Sequence, residues 1–345
     1  MTAERAREIL ERAKGRRVLL AGDLMMDEWV FGAVKRISPE APIPVVTMPL
    51  TKEARANKPG GAGNVAAILL GLGAAVRVVG VVGEDELGRS LVSDLRNRGA
   101  DVSGVLRDPS RPTTHKMRIL AGRQQLLRID TESTMPLPSR LAGQVCDLLV
   151  AAIGEADGVL VADYAKGTLR PESLPQEVIA AARAAGIPFC ADPKPANIDL
   201  FRGASLVSPN EAEALVASGA GLANSAAPVP SHLSLPSPVL EAGRMLLGRL
   251  AAQAVFITRG EQGLAVFLED GEVAEIPAST ESGAVGDSTG CGDAVSAASA
   301  VALAAGASYL EAAELANAAG GVVSRFVGVH SPQPAEIIEW LGRAA

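Results

Sequence analysis

The 345-residue chain has no closely spaced cysteines, no block of Lys or Arg, and no apolar run long enough to cross a bilayer. Its three cysteines (Cys146, Cys190, Cys291) form no C-x-x-C pair, which excludes a disulfide framework or a zinc knuckle and suits a reducing compartment. Basic residues number 32 against 39 acidic ones, giving a formal net charge of -7. An acidic chain without basic runs is a poor partner for nucleic acid or an anionic membrane surface. Any phosphate must then be held by a few placed cations and backbone N–H groups. The uncharged run 294–310 is mostly Ala, Ser and Gly, too short and too weakly apolar for a membrane span, and reads as a buried helix. The first seventeen residues are crowded with charge (Glu4, Arg5, Arg7, Glu8, Glu11, Arg12). They read as an amphipathic helix, not a signal peptide, so a cytoplasmic location is expected.

What is present is ample apolar material. Hydrophobic residues make up 48% and charged residues 21%, enough for a large core and far from a disordered composition. Short β-rich runs at 18–21, 76–82, 159–162, 187–191, 205–207, 255–257 and 264–268 alternate with helical stretches at 64–72, 85–98, 171–185 and 241–252. Continuous apolar strands alternating with helices predict a doubly wound α/β fold, its sheet mostly parallel and flanked by helices. The segments 293–305 and 309–325 read as helices. Two segments, about 28–48 and 112–130, read instead as extended pairs, the second with a turn at Ala121-Gly122. They predict a small β-sheet lid on an otherwise single domain spanning 1–345. The stretch 219–238, rich in Pro, Ser and Ala, reads as a surface loop.

Asp23, Asp163, Asp192, Asn210 and Thr258 all stand just past the carboxyl ends of predicted strands. Ligands of open parallel sheets bind along that edge, so these residues are candidates for one site, although each could equally cap a following helix. The strongest local signal is Asp287-Ser288-Thr289-Gly290-Cys291-Gly292-Asp293 before the small-residue helix. Glycines there let helix N–H groups approach an anion closely. Asp293 falls in the first helical turn, where the macrodipole favours its ionised form. Phosphoryl transfer asks little of its base, because positioning and charge stabilisation carry most of the catalysis.

Gly290-Cys291-Gly292-Asp293 resembles the G-A-G-D signature of the ribokinase-like (PfkB) carbohydrate kinases, with Cys in place of Ala. Gly60-Gly61-Ala62-Gly63-Asn64 is similar to the N-terminal signature of that family. Within it, Gly22-Asp23-Leu24-Met25-Met26-Asp27, the run 36–46, Thr114-His115-Lys116-Met117-Arg118, the run 124–130 and Asp163-Tyr164-Ala165-Lys166-Gly167 resemble the heptose 7-phosphate kinases. Those enzymes phosphorylate the anomeric hydroxyl of D-glycero-D-manno-heptose 7-phosphate on the route to ADP-heptose, and many are fused to a nucleotidyltransferase. No H-x-G-H nucleotide-transfer motif occurs in this chain.

The resemblance implies an ATP- and Mg²⁺-dependent sugar kinase with Asp293 as base and Gly290, Cys291 and Gly292 as its anion hole. It implies sugar contacts from Asp23, Gly60, Gly61 and Asn64. Lys116, Arg118, Arg128 and Lys166 are the cations that would hold a second phosphate. On the nucleotide side it implies Asp192 and Lys194 of a D-P-K motif in which Pro195 replaces Gly, Asn210 and the metal-organising Glu213 of N-x-x-E, Thr258-Arg259-Gly260 at a phosphate, and Asn317 near adenine. Asp287 would help a monovalent cation (K⁺) site. Lid pairing in the family implies a homodimer. Fructose 1-phosphate, tagatose 6-phosphate and ribose-like sugars are alternative substrates, and a non-catalytic sugar or nucleotide sensor of the same fold is the alternative outside enzymes. A dinucleotide-binding dehydrogenase is disfavoured, since the first strand leads into Gly22-Asp23-Leu24 and not into G-x-G-x-x-G.

Overall fold

The computed structural model describes residues 1–343 except 52–53, 123, 171–173, 175, 221–232, 279–287 and 327. Asp287 and most of the 219–238 segment therefore lie outside the described residues. A nine-stranded sheet runs through the molecule in the order β14-β13-β12-β11-β10-β9-β1-β5-β6. Its strands are β1 (Arg17–Gly22), β5 (Ala75–Gly83), β6 (Asp101–Asp108), β9 (Gly158–Ala162), β10 (Phe189–Asp192), β11 (Leu206–Val207), β12 (Ala254–Thr258), β13 (Leu264–Leu268) and β14 (Val273–Ile276). The pairings from β6 across to β12 are parallel, while β13 and β14 are antiparallel at one edge. Alternate strand residues enter opposite cores. Val18 and Leu20 pack under α1 (Ala3–Ala13), α2 (Ala62–Gly71), α8 (Cys291–Ala304), α9 (Tyr309–Val323) and α10 (Pro334–Arg343). Leu19 and Ala21 pack under α4 (Ser139–Ile153), α5 (Gln176–Ala184), α6 (Glu211–Ser218) and α7 (Ser237–Leu250). The small-residue run beginning at Ala294 is a buried helix against α9, because Ala and Ser let helix backbones approach closely.

A second, smaller sheet is built from β2 (Leu24–Ile37), β3 (Pro44–Thr47), β4 (Arg55–Gly61), β7 (Thr114–Ala121) and β8 (Gln124–Thr131). The long β2 pairs with β7 along one edge and with β4 and then β3 along the other. No strand was expected at β4. Among the described residues no helix is long and apolar enough to cross a membrane.

The connections explain where a site can form. From β1 the chain moves outward to β5 and β6, then returns to the other side of β1 as β9 and proceeds to β12. The order thus reverses between β1 and β9, and a crevice opens at their carboxyl ends.

Candidate active site

The first residues past that switch point are internal braces. Asp23, after β1, is 1% exposed, and its carboxylate accepts the backbone N–H groups of Tyr164 (2.9 Å), Lys166 (3.0 Å) and Thr168 (3.2 Å). Asp163, after β9 and 2% exposed, accepts from the N–H groups of Ala165 (2.8 Å) and Lys194 (3.0 Å) and from Asn197 Nδ2 (3.0 Å). Burial pushes the Asp163 carboxyl above the usual range, while the Ala165 and Lys194 amides act to hold it down. Between them the two aspartates pin the 163–168 loop in a shape that includes Ala165 at φ 55, a left-handed conformation that costs a non-glycine residue energy unless its surroundings enforce it. The expectation that Asp23 meets a sugar hydroxyl is corrected here: its oxygens are enclosed and committed to this loop.

The loop delivers Tyr164 to Asp293. At the start of α8, Asp293 accepts hydrogen bonds from Tyr164 O–H (2.5 Å) and Asn64 Nδ2 (2.6 Å), one on each oxygen. Burial raises its affinity for a proton, and these two neutral donors act in the other direction. The carboxylate is therefore aimed, and somewhat more basic than a solvated one. Asn64, expected at the sugar, is 3% exposed and serves Asp293. Gly290 caps α8 at φ 83, where a Cβ would stand 3.2 Å from Asn64 Nδ2. In the first turn the Cys291 N–H donates to the Ser288 carbonyl (3.2 Å), while the N–H groups of Gly292 and Asp293 precede the Ala294-to-Gly290 bond (3.0 Å) and lie at the positive end of the helix.

Past the ends of β10, β11 and β12, Asn210 and Glu213 form a reciprocal capping box at the start of α6. The other Glu213 oxygen meets Lys194 Nζ at 2.5 Å. Burial works to discharge Lys194, but Glu213 outweighs it and the ammonium is held. Asp192 lies alongside, its carboxyl pushed up to about 7 chiefly by burial, with Lys194 opposing and Asp293 and Glu213 adding to the rise. Asn210 bridges to Thr258. The neighbouring Arg259 side chain is 5% exposed and ion-paired to Glu211 (3.1 Å) and Glu275 (3.6 Å). That guanidinium is framework, not a nucleotide contact, whereas Gly260 beside it is exposed. Asn317 donates to the Pro277 carbonyl (2.9 Å), tying α9 to the chain after β14. Among the described residues no group of three or more His, Cys, Asp or Glu could hold a metal ion directly.

The small sheet supplies the remaining wall. Its register sets Asp27 beside Lys58 and Lys116, and Lys116 opposite Asp130; the next row on that face is Trp29, Arg118 and Arg128. Asp27 pairs with Arg118 Nη1 (2.5 Å), and the guanidinium lies 5.0 Å over the Trp29 ring. Gly60 is required here, since a Cβ would fall 2.3 Å from Asp27 Oδ2; Gly61 follows at φ 55. Asp27 is also near enough to Asp293 to raise its proton affinity, so this wall stands close to that carboxylate. Lys116 meets Asp130 (3.0 Å) and Glu132 (3.3 Å), Lys166 meets Glu132 (2.8 Å), and the half-exposed Arg128 meets Asp130 (2.8 Å). Four cations thus converge on one wall, each with an acid partner. Asp27 and Tyr164 lay inside motifs that sequence reading had singled out without roles for them, and Glu132 just beyond one.

The chain belongs to the pfkB family of carbohydrate kinases, whose pattern matches residues 34–336. It is a sugar kinase, a phosphotransferase with an alcohol group as acceptor. Over 342 residues it is 40% identical to the bifunctional protein HldE of Geobacter metallireducens, covering 99% of this chain and 66% of that one. The HldE of Geotalea uraniireducens is 38% identical, covering 100% and 66%. The chain therefore spans about two thirds of the length of these relatives. Its fold is shared by Arabidopsis thaliana ribokinase, solved with ribose and ATP (TM-score 0.70, 21% identity, 95% of this chain and 99% of that one). The phosphofructokinase-2 of Escherichia coli, solved with potassium, aligns similarly (TM-score 0.71, 19% identity, 96% and 99%).

Proposed function

We propose that this kinase transfers the γ-phosphoryl group of ATP to the anomeric hydroxyl of D-glycero-D-manno-heptose 7-phosphate, giving the 1,7-bisphosphate for ADP-heptose synthesis. The observation that carries the reading is the cationic wall of Lys116, Arg118, Arg128 and Lys166, joined to the base through the 163–168 loop. A sugar with only hydroxyls offers such a wall neutral acceptors alone, whereas a sugar phosphate offers it a dianion and stronger, charge-assisted bonds. The HldE names of relatives that match nearly the whole chain support the heptose.

In this reading Asp27 receives a sugar hydroxyl and the small sheet closes over the ring as a lid. Asp293, steered by Tyr164 and Asn64, takes the proton from the attacking hydroxyl as its oxygen bonds to the γ-phosphorus and the bond to ADP breaks. The N–H groups of Gly292 and Asp293, at the positive end of the helix, neutralise charge on the moving phosphoryl group. Lys194 meets nucleotide phosphate, with Thr258 and Gly260 beside it. Mg²⁺ would neutralise charge on the ATP phosphates, and since it keeps several waters, Glu213 and Asp192 would hold it through water.

The test is a panel of sugar phosphates and their dephosphorylated analogues with ATP and Mg²⁺, run on the wild type and on Lys166→Ala. Loss of a charge-assisted contact costs about 1.5–3 kcal/mol, roughly tenfold to a hundredfold in kcat/KM. That loss should fall on heptose 7-phosphate and spare the analogue. Equal loss on both would remove the cations from substrate recognition.

A further inference from the structure

Of the acids that partner the cationic wall, Asp130 and Glu132 have no part in the proposed reaction. Glu132, one residue beyond β8, places Oε1 2.8 Å from Lys166 Nζ and Oε2 3.3 Å from Lys116 Nζ. Asp130 flanks it, joining Lys116 to Arg128. A carboxylate that gives one oxygen to each of two ammonium groups imitates two oxygens of a phosphate monoester in charge and reach. The two lysines belong to different bodies: Lys116 to the small sheet, and Lys166 to the loop that Asp23 fixes beneath Asp293. Glu132 thus bridges sheet and loop where a phosphate held by both lysines would do the same. An incoming dianion cannot sit on these lysines beside Glu132 without strong repulsion, so one must leave.

Resting on the reading of these cations as the sugar-phosphate site, we propose that Glu132 is a specificity-determining residue that occupies the place of the substrate's distal phosphate until the phosphate displaces it. A sugar without that phosphate leaves Glu132 in place and the lysines neutralised. The occupant also lowers affinity for stray phosphate, because apparent binding is reduced by the fraction of protein in which the site is open.

Glu132→Gln keeps the shape and removes the charge. Two partly exposed ion pairs make the occupant worth about threefold to tenfold in apparent affinity. At fixed ionic strength, calorimetric titration with orthophosphate should show binding tighter by that factor, and the KM for heptose 7-phosphate should fall alongside it. Glu132→Ala should shift both in the same direction, and in a Lys166→Ala background the Gln substitution should bring no gain. If Glu132 merely ties sheet to loop, its removal raises KM and leaves orthophosphate affinity unchanged or weaker, and the inference is overturned. If Lys166→Ala alone leaves the KM for heptose 7-phosphate unaltered, the phosphate does not bind at these lysines, and the underlying functional reading fails whatever Glu132 does.

Discussion

Replacing Asp293 with Asn tests the mechanism at its centre. In the structure its two oxygens accept from Tyr164 and Asn64. An amide can still accept from Tyr164 through its oxygen, and a flip of the Asn64 side chain would present an acceptor to the new NH₂ group. Packing and helix entry are thus kept, and Asp→Asn is mild near a helix N-terminus. The proton acceptor is gone, however. General-base loss typically costs about 10²–10⁴ in rate, or roughly 2.7–5.5 kcal/mol of barrier. Stability should hold or rise, because burial and Asp27 both disfavour the ionised form of Asp293 and the amide carries no charge. ATP should bind as well or better with one negative charge fewer near its phosphates. The assay is ADP release under saturating ATP and sugar phosphate, with ATP Kd and Tm measured on the same preparation. Turnover within a fewfold of wild type, with an ordinary Tm, would mean that Asp293 only ties Tyr164 and Asn64 to the start of α8 and that the base lies elsewhere.

Three further outcomes follow from the same geometry. Tyr164→Phe removes a donor that lowers the Asp293 proton affinity, so the acidic limb of the kcat/KM profile should move to higher pH; a uniform loss at every pH would refute that role. Asp192 is held at about 7 in the fold but loses its proton near 3.9 when unfolded, so the stability associated with its protonated form is lost as pH rises from about 4 through 7. Asp192→Asn should therefore stabilise the fold more at pH 7 than at pH 4.5, by at most about 3 kcal/mol and less where cleft water reaches the group; an equal shift in Tm at both pH values would contradict it. Leu127 and Ile129 of the small sheet are 53% and 43% exposed, an unusual position for strand apolar residues unless a second copy covers them. Light scattering should show a dimer that Ile129→Asp weakens, and a monomer at micromolar concentration would count against lid pairing.

Much of the main sheet was legible because its strands are buried on both faces and so read as unbroken apolar runs, most of them ending at a polar residue. What escaped had its signal masked by local chemistry. The β4 segment Asn57-Lys58-Pro59-Gly60-Gly61 carries the residues that usually end strands, yet it pairs with β2 on one side only, and an edge strand tolerates Pro because its outward N–H is not needed. Helix α4 begins after Pro138 with no side-chain cap, so the Ser, Thr, Asp or Asn signal that marks most helix starts was missing.

The site was legible as a set of motifs, but not as a set of contacts, and Asp23 and Asp27 show why. Both stand in one short motif, and composition cannot say which faces the ligand. That depends on where β2 begins. Because the strand starts at Leu24, Asp23 lies at the crossover, within reach of the backbone of the 163–168 loop. Asp27 lies three residues into the strand, on the same face as Met25 and Trp29, in register with Lys58 and Lys116. A shift of one residue in that register would turn Asp27 to the opposite face and remove it from the cleft. The same parity sets Lys116, Arg118 and Arg128 on one side of the small sheet, while Asp130 and Glu132, the acid partners of Lys116 and Arg128, follow from the pairing of β7 with β8. The motifs were thus named by sequence, with Asp27 and Tyr164 unassigned inside them, but the division of their side chains into braces, Asp293 partners and cations follows from strand register and from which backbone N–H groups each carboxylate must satisfy.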